Sequence, residues 1–497
     1  MTDEHGILAL PNAKKGGSKL PSETENLIKA FLNDENSRLL PGMKDFVSVR
    51  NKDGSREHVQ KRLILSNLSE LYEKFRNDYP DVKIGISKFC ELRPRHCVLA
   101  GSSGTHTVCV CTHHENVKLM IDAINLQAIT KDTDLPLKSY SDCLQEITCK
   151  NPTSSCHLGK CELCPDGESL KNHLLSILHE RYIDRIEFQV WQHTDRSTLK
   201  TEIVDNEEFI EQLCRLLFKL KPHDFISKMQ SSYVNELKTT LLDNEFIVQC
   251  DFAENYAFVI QNAAQSFHWN NNQCSIFTAV IYYKEQEELK HRSIAILSDS
   301  LKHDTIAVYE CQKIIVQFLK ENFNPVKIIY FTDGTAQHFK NKYNLKNLQL
   351  HKQDFGILAE WHFHATAHGK GPCDGVGGNL KRLSARASLQ ASAENHILTP
   401  IDLYRWAKEN LSKTVVFFSP KCDQENATET LKSRFATAVT IPETQKYHAI
   451  LPIDDESLAF KNYSLATDYE VYPKIKTNKR KASGQTPMKG KTKRNSL

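Results

Sequence analysis

The chain has 497 residues, which exceeds what one hydrophobic core usually serves and favours roughly two to four domains. Charged residues make up 25% and apolar residues 40%, a balance typical of folded domains rather than of a disordered chain. The net charge of +3 excludes a protein that is strongly basic overall. No run approaches the roughly 20 apolar residues of a membrane span and the N-terminus lacks a signal-peptide pattern, so we expect an intracellular protein without a membrane partner.

The first part of the sequence predicts a polar leader over residues 1–40 and a helical region over residues 41–108. In KRLILSNLSELYEKF the apolar residues recur at helical spacing; they are Ile64, Leu68, Leu71, Tyr72 and Phe75. A second short helix can start at Ser87 and stop before Pro94. Two helices around a turn fit either a helix-turn-helix DNA-binding unit or a helical pair that only packs.

Cysteine and histidine crowd the next segment, residues 109–166. Nine of the 15 cysteines lie between Cys90 and Cys164, and in a reducing compartment such crowding favours metal ligands over disulfides. Tetrahedral zinc usually takes close ligand pairs on tight turns. We therefore expect a Zn²⁺ site here, with simple buried thiols as the alternative. The candidate ligands are Cys109, Cys111, His114, Cys161 and Cys164, with Cys149 and Cys156 as further alternatives.

Residues 167–243 predict a mostly helical connecting segment in which RIEFQVWQ is one buried strand. Residues 244–400 then predict the order βββαβαβα. Aromatic and β-branched runs indicate the strands, helical periodicity indicates the helices, and Asp304 is placed to cap the first helix. Residues 401–473 predict an α/β extension, and residues 474–497 a basic disordered tail that could serve nuclear import.

Acidic residues occupy two strands of this predicted core. Asp251 stands in the middle of EFIVQCDFAENYAFVIQ, and Asp333 ends the apolar strand VKIIYFTDG. An unpaired carboxylate amid apolar residues is costly to bury, so a capping or solvated role explains Asp251 poorly. For Asp333 the alternative is an Asp-Gly turn. The element order is that of the RNase H-like fold, a mixed five-stranded sheet with flanking helices, in which these two strands pair in parallel at the centre.

The phrases SKFCELRP, FTDGTAQHFKNK and HGKGPCDGVGGNLKR resemble those of uncharacterised transposon-derived animal proteins within the DDE/DDD transposase superfamily. The resemblance extends over about residues 60–400. It implies a two-metal Mg²⁺ (or Mn²⁺) site that cleaves and joins DNA. The implied catalytic residues and magnesium ligands are Asp251, Asp333 and Asp374. Glu360 and Glu394 are the alternatives for the third carboxylate.

The resemblance also implies transposon-end DNA as a partner, and we expect a nuclear homo-oligomer. Basic residues near the predicted site are candidates for DNA contacts; they are His368, Lys370, Lys381, Lys340 and Lys342. A second zinc site of His362, His364, His368 and Cys373 is an alternative to histidines packed in the core. Two other functions stay open: a catalytically inactive, domesticated zinc-containing DNA-binding or scaffold protein, and an RNase H-type nuclease.

Overall fold

The structure is a computed structural model, and it describes residues 20–35, 37–39, 46–50, 56–64, 68–99, 111–193, 195, 197–260, 271–369 and 371–472. The predicted basic tail, residues 474–497, lies outside the described residues, as does most of the predicted leader. The chain divides into two compact units, Met1–Cys109 and Val110–Leu497. In the described part of the chain, no helix has both the length and the apolar character needed to span a membrane.

The first unit is a small α/β assembly. Its helices are α1 Ser22–Ala30, α2 Leu68–Asp78 and α3 Ile86–Glu91. Its strands are β1 Ser37–Leu39, β2 Phe46–Arg50, β3 Arg56–Gln60, β4 Arg62–Ile64 and β5 Cys97–Leu99. Within the described residues β1, β4 and β5 form one sheet, and β2 and β3 form a hairpin. Aromatic rings of the helices fill the core, with Phe31, Phe75 and Phe89 all buried.

The prediction of a helical region over residues 41–108 is wrong in two respects. Four strands lie in it, and Ile64, which was expected on the first helix, belongs to β4 and pairs with Leu99 of β5. The two helices were placed correctly in outline. However, residues 79–85 separate them, whereas a helix-turn-helix unit joins its helices by roughly three or four residues. A packed helical pair therefore describes this region better.

The second unit begins with a helical layer. Its helices are α4 Thr112–Ala123, α5 Leu126–Thr130, α6 Tyr140–Glu146, α7 Ser154–His157, α8 Glu168–Glu180 and α9 Asn206–Thr240. Between α8 and α9 lies a hairpin of β6 Arg185–His193 and β7 Ser197–Asp205. RIEFQVWQ was predicted as a single strand; β7 was missed because its sequence, STLKTEIVD, is polar and almost wholly exposed. Asp205 caps α9 through the backbone N–H of Glu208.

A large mixed sheet follows. Its strands are β8 Glu245–Ala257, β9 Gln273–Glu285, β10 Glu288–Ser298, β11 Lys327–Thr332, β12 Leu358–Phe363, β13 Thr414–Phe418, β14 Ala449–Pro452, β15 Leu458–Lys461 and β16 Glu470–Tyr472. Among the described residues it has nine strands in the order β13-β10-β9-β8-β11-β12-β14-β15-β16. Strands β8, β9 and β10 are antiparallel, whereas β8, β11 and β12 run parallel. The expected five-stranded sheet is thus extended on both edges by strands from residues 401–473.

Helices cover both faces of this sheet. They are α10 Thr305–Asn322, α11 Lys342–Gln349, α12 His351–Phe355, α13 Pro372–Gln390, α14 Pro400–Asn410 and α15 Lys421–Ala436. The mixed α/β fold and the order βββαβαβα were therefore predicted correctly. The cap of α10 was also predicted: the carboxylate of Asp304 accepts the backbone N–H groups of Ile306 and Ala307. Along β8 and β11 alternate side chains face opposite layers, so Val248 and Tyr330 pack with α10, while Ile247 and Phe331 pack with α9.

Candidate active site and metal centres

Asp251 lies on β8, and Asp333 directly follows the neighbouring strand β11. β8 and β11 are parallel, with Phe331 opposite Gln249. Asp251 lies two residues further along β8, and Asp333 lies two residues beyond Phe331, directly after the end of β11, so both residues reach the same edge of the sheet. Neighbouring strands are about 4.8 Å apart, so the two carboxylates start from adjacent backbone positions. Both residues line one small cavity, together with the glycine-rich segment that precedes α13.

The electrostatics of this cavity follow from its burial and its acids. Burial raises the pKa of Asp251 to about 7, and the negative charges of Asp333 and Asp374 act in the same direction. Asp251 accepts a hydrogen bond of 2.8 Å from the backbone N–H of Phe252. Asp333 accepts one of 3.2 Å from the backbone N–H of Thr335, and a second from the Thr335 hydroxyl. Hard oxygen donors gathered under mutual repulsion are a donor set that suits a divalent cation such as Mg²⁺.

Asp374 lies in the first turn of α13, where its Oδ2 accepts the backbone N–H of Gly371 at 2.8 Å. It therefore caps the helix while its charge reaches Asp251. Among the described residues, two groups of three or more ligand side chains have donor atoms within 4.8 Å of one another. One consists of a cysteine and three histidines and the other of four cysteines, so neither contains an aspartate. Asp251 and Asp333 line the cavity, whereas Asp374 follows Cys373, the last residue of its lining, and the three aspartates do not form such a group.

The two alternative third carboxylates are placed less favourably. Glu360 pairs in register with Ile329, well before the strand end that carries Asp333. Its carboxylate lies 2.9 Å from Lys327 Nζ and 3.1 Å from His362 Nε2. Burial alone raises its pKa, but these two neighbours hold the pKa at about 2. Glu394 follows α13 and is separated from Asp374 by nearly the whole helix, about 24 Å at 1.5 Å per residue.

The candidate DNA-binding residues separate into different environments. Lys381 lies on α13 and is partly exposed, as is Lys342 at the start of α11. Lys340 is buried instead: it donates a hydrogen bond of 3.0 Å to the Gln445 carbonyl, and burial lowers its pKa to about 7. Because its ammonium group is turned inward, Lys340 does not present a phosphate contact, and that prediction is wrong for this conformation. Lys370 lies outside the described residues.

A cleft near the aspartates was not foreseen from the sequence. It has a volume of about 360 Å³ and is lined by Leu301, Lys302, His303, Asp304, Gln337 and His338. The His303 ring stacks on Phe252, the neighbour of Asp251, with centroids 4.2 Å apart and planes 14° apart. Its Nε2 lies 2.9 Å from the Ser275 hydroxyl. The isolated histidines of SDSLKHDT and TAQHFK carry no spacing signal, so only the fold reveals that they meet.

The zinc candidates fall into two groups rather than one. Cys161 and Cys164 join Cys149 and Cys156, the two alternatives, in a four-cysteine group that could hold a metal ion such as zinc. The Sγ atom of Cys149 lies 3.7 Å from the Sγ atom of Cys164 and 4.0 Å from that of Cys161. Four sulfurs around zinc at about 2.3 Å would be about 3.8 Å apart, so this spacing fits a tetrahedral site.

Cys111 and His114 are not part of that group. They meet His223 of α9 and His368, which precedes α13. Burial alone would raise the pKa of Cys111, but the three neighbouring histidines His114, His223 and His368 lower it to about 3. Cys109 lies outside the described residues. His368 was also a candidate partner of His362, His364 and Cys373, but it lies with Cys111, His114 and His223 instead. His362 packs in the core against Phe331 and Tyr233. The DNA contact of His368 stays a prediction.

The fold and these side chains define an α/β protein with a nine-stranded mixed sheet in its described part and two groups that could each hold a metal ion. Three family models match consecutive parts of the chain, each described as a domain of unknown function: DUF8699 over residues 19–101, DUF8700 over residues 112–221 and DUF8701 over residues 230–464.

Comparison with curated proteins finds no match. A solved structure described as "Mos1 transposase paired-end complex with left transposon end" is similar at 12% identity, over 67% of this chain and 92% of that chain, with a TM-score of 0.17. A TM-score this low does not establish a shared fold.

Proposed function

We propose that the second unit is an RNase H-like core that performs metal-dependent phosphodiester cleavage and strand transfer on DNA, in the manner of a DDE/DDD transposase. The observation that carries the proposal is that Asp251 on β8 and Asp333, directly after the parallel neighbouring strand β11, line one cavity. The spatial order of the five strands is β10-β9-β8-β11-β12. The parallel pair at its centre, β8 and β11, is the first and the fourth of the five in chain order, which is the arrangement expected for this fold.

In this proposal Asp251, Asp333 and Asp374 are the catalytic residues and hold the divalent ions. Magnesium bound there would supply activation of the attacking water or 3′-hydroxyl and stabilisation of the leaving oxygen. The charges of Asp333 and Asp374 both act on Asp251, so its deprotonated carboxylate would hold the divalent ions together with theirs. Asp374 accepts the Gly371 N–H through Oδ2, and its carboxylate would be the third ligand for the cation.

The surroundings of the aspartates are compatible with DNA as the substrate. The cleft lined by His303 and His338 opens beside Phe252, and the charge of Asp333 reaches His338. Lys381 lies close enough to influence the pKa of His303. A basic side chain and stacked rings beside a carboxylate cavity offer contacts for a phosphate and a base. The homo-oligomer and the nuclear location stay predictions.

The test uses the full-length protein and a DNA fragment that carries any terminal inverted repeats flanking the gene, with Mg²⁺ or Mn²⁺. We expect cleavage and joining, nearly complete loss in Asp251→Asn, Asp333→Asn or Asp374→Asn, and losses that do not add when combined. DNA binding should survive, because phosphate contacts come mainly from basic side chains. The three variants should also bind less Mn²⁺ than the wild type, as measured by electron paramagnetic resonance.

Asp402→Asn is the matched control for Asp374→Asn. Both residues lie in the first turn of a helix that starts with proline, and both accept a backbone N–H three residues earlier: Gly371 for Asp374, Thr399 for Asp402. Loss of activity in both variants would identify a capping effect, whereas loss in Asp374→Asn alone supports catalysis. Activity that persists in Asp251→Asn and Asp333→Asn would refute the catalytic role of these aspartates, whereas DNA binding without cleavage by the wild type would leave a zinc-containing DNA-binding scaffold. Hydrolysis without joining would identify a nuclease.

A further inference from the structure

We propose that Cys111, His114, His223 and His368 bind a structural zinc ion, separate from the four-cysteine group, and that this ion fastens the segment before α13 to the helical layer. The four residues come from three distant parts of the chain: the start of α4, the middle of α9 and the connection between β12 and α13. All four offer a ligand atom, and those atoms lie within 4.8 Å of one another.

The distances match a tetrahedral site. Cys111 Sγ lies 3.1 Å from His223 Nε2, and His368 Nε2 lies 3.2 Å from the same atom. With Zn–N near 2.05 Å and Zn–S near 2.3 Å, the edges of a regular tetrahedron are about 3.3 Å between nitrogens and about 3.6 Å between nitrogen and sulfur. The protein therefore holds these donors within about half an ångström of the spacing that zinc requires.

Hydrogen bonding alone does not account for the arrangement. An imidazole nitrogen carries either one hydrogen or one lone pair, so His223 Nε2 can make one good hydrogen bond. Two donor atoms nevertheless crowd it, a thiol sulfur and a second imidazole nitrogen. A cation placed among them accepts the lone pairs of all three atoms at once, which removes the conflict.

His114 supplies an independent observation. Its Nδ1 is buried and has no hydrogen-bond partner, while its Nε2 lies 3.2 Å from Oδ1 of Asp224. Lys228 holds the other oxygen of Asp224 at 2.8 Å. A metal-bound histidine characteristically directs its second ring nitrogen to a carboxylate, which fixes the ring and its tautomer. His114 Nδ1 is thus free to be the ligand atom, and Asp224 acts as a positioning residue.

Three nitrogens and one sulfur are donors that zinc accepts readily, and four protein ligands leave no open position for a substrate. The ion would therefore stabilise structure. What it stabilises follows from His368, whose neighbour Gly369 lies so close to Asp333 that an added Cβ would be 3.0 Å from the Asp333 Cβ. The site thus ties the segment that borders the aspartate cavity to α4 and α9.

The test measures zinc in the full-length, reduced protein by elemental analysis, and it needs no catalytic activity. We expect two zinc ions per chain, one after His223→Gln, one after Cys161→Ser, and none after both. The matched control is His113→Gln, because the His113 ring packs on His223 with centroids 4.7 Å apart but lies outside the ligand group. It should keep both ions. Asp224→Asn should keep two ions, but the ion bound by Cys111, His114, His223 and His368 should be released faster to a chelator.

X-ray absorption of the wild-type protein covers the case in which a variant does not fold. The two groups together contain five cysteines and three histidines, so two ions should share five sulfur and three nitrogen ligands. A spectrum with sulfur ligands alone, or one zinc per chain that only Cys161→Ser removes, would overturn the proposal. So would two ions retained in folded His223→Gln. None of these results depends on whether Asp251 is catalytic, so the metal site and the proposed activity can fail separately.

Discussion

Replacing Gly377 with alanine should destabilise the second unit, although alanine is the better helix former. An added Cβ at Gly377 would lie 3.1 Å from the Ala253 Cβ on β8 and 3.5 Å from Thr278 Cγ2 on β9. Because a Cβ cannot rotate away, α13 must move off the sheet. Overpacking costs about 1–3 kcal/mol, and the gain in helix propensity returns about 1 kcal/mol. We expect a net loss of about 1 kcal/mol, from a range of roughly 0–2 kcal/mol.

Gly378 provides the matched control on the same helix. Nothing lies within 4 Å of the Cβ that Gly378→Ala would add, so that variant should gain about 0.5–1 kcal/mol. Thermal unfolding of the full-length protein should therefore show midpoints that move in opposite directions, a few degrees down for Gly377→Ala and up for Gly378→Ala. Equal stabilisation by both substitutions would refute the close approach of α13 to β8 and, with it, the placement of Asp374 near Asp251.

Three further predictions concern other parts of the chain. Arg434→Lys should cost about 2 kcal/mol in chemical denaturation, because Arg434 makes a two-pronged ion pair with Asp354 at 2.6 and 2.7 Å that one ammonium cannot reproduce. Burial lowers the pKa of His351 to about 4, so the unfolded chain takes up its proton first as pH falls below about 6.5. That residue should therefore remove roughly 3 kcal/mol of stability by pH 4, a slope that His351→Gln should lessen. Deleting residues 474–497 should shift a fluorescent fusion from the nucleus to the cytoplasm.

Each of these predictions has an outcome that contradicts it. Lys432→Ala, which removes an exposed pair with Glu429 at 3.7 Å, should change stability by less than about 0.5 kcal/mol, and an equal loss from both substitutions would show that the Arg434 geometry is irrelevant. Identical pH slopes in wild type and His351→Gln would show that His351 is protonated when folded. An unchanged nuclear signal would rule out the tail as the import signal.

Local patterns predicted the central sheet because its strands are chemically simple. KIIYFT is apolar on both faces, as a strand buried between two helical layers must be, and Asp304 precedes a clear helical period. Strands β4 and β7 were missed for the opposite reason. RLI runs into a helical pattern, and STLKTEIVD has too few apolar residues to mark a buried face. Their pairing partners, rather than their own composition, make them strands.

The metal groups show where sequence reasoning ends. Cys161 and Cys164 form a close pair whose spacing is recognisable in the sequence, and their partners Cys149 and Cys156 lie within the same segment. His223 and His368 are 145 positions apart, and the sequence neighbours of His368 pointed to a different group, with His362, His364 and Cys373. Lys340 belongs to a run of basic residues, yet the turn that contains Gln445 covers it. Such placements depend on contacts between distant segments, which periodicity and spacing do not encode.

The long helix α9 constrains how the protein can be divided for experiments. Its middle carries His223 and Asp224, and six residues later Gln230 donates to the carbonyls of Phe363 and His448 in the sheet. The boundary between the matched regions ending at residue 221 and beginning at residue 230 falls inside this helix. A fragment cut there would divide α9 and leave His223 and Asp224 on one piece and Gln230 on the other. Expression of residues 230–464 alone should therefore yield poorly soluble material, whereas a fragment starting at residue 111 contains all of α9.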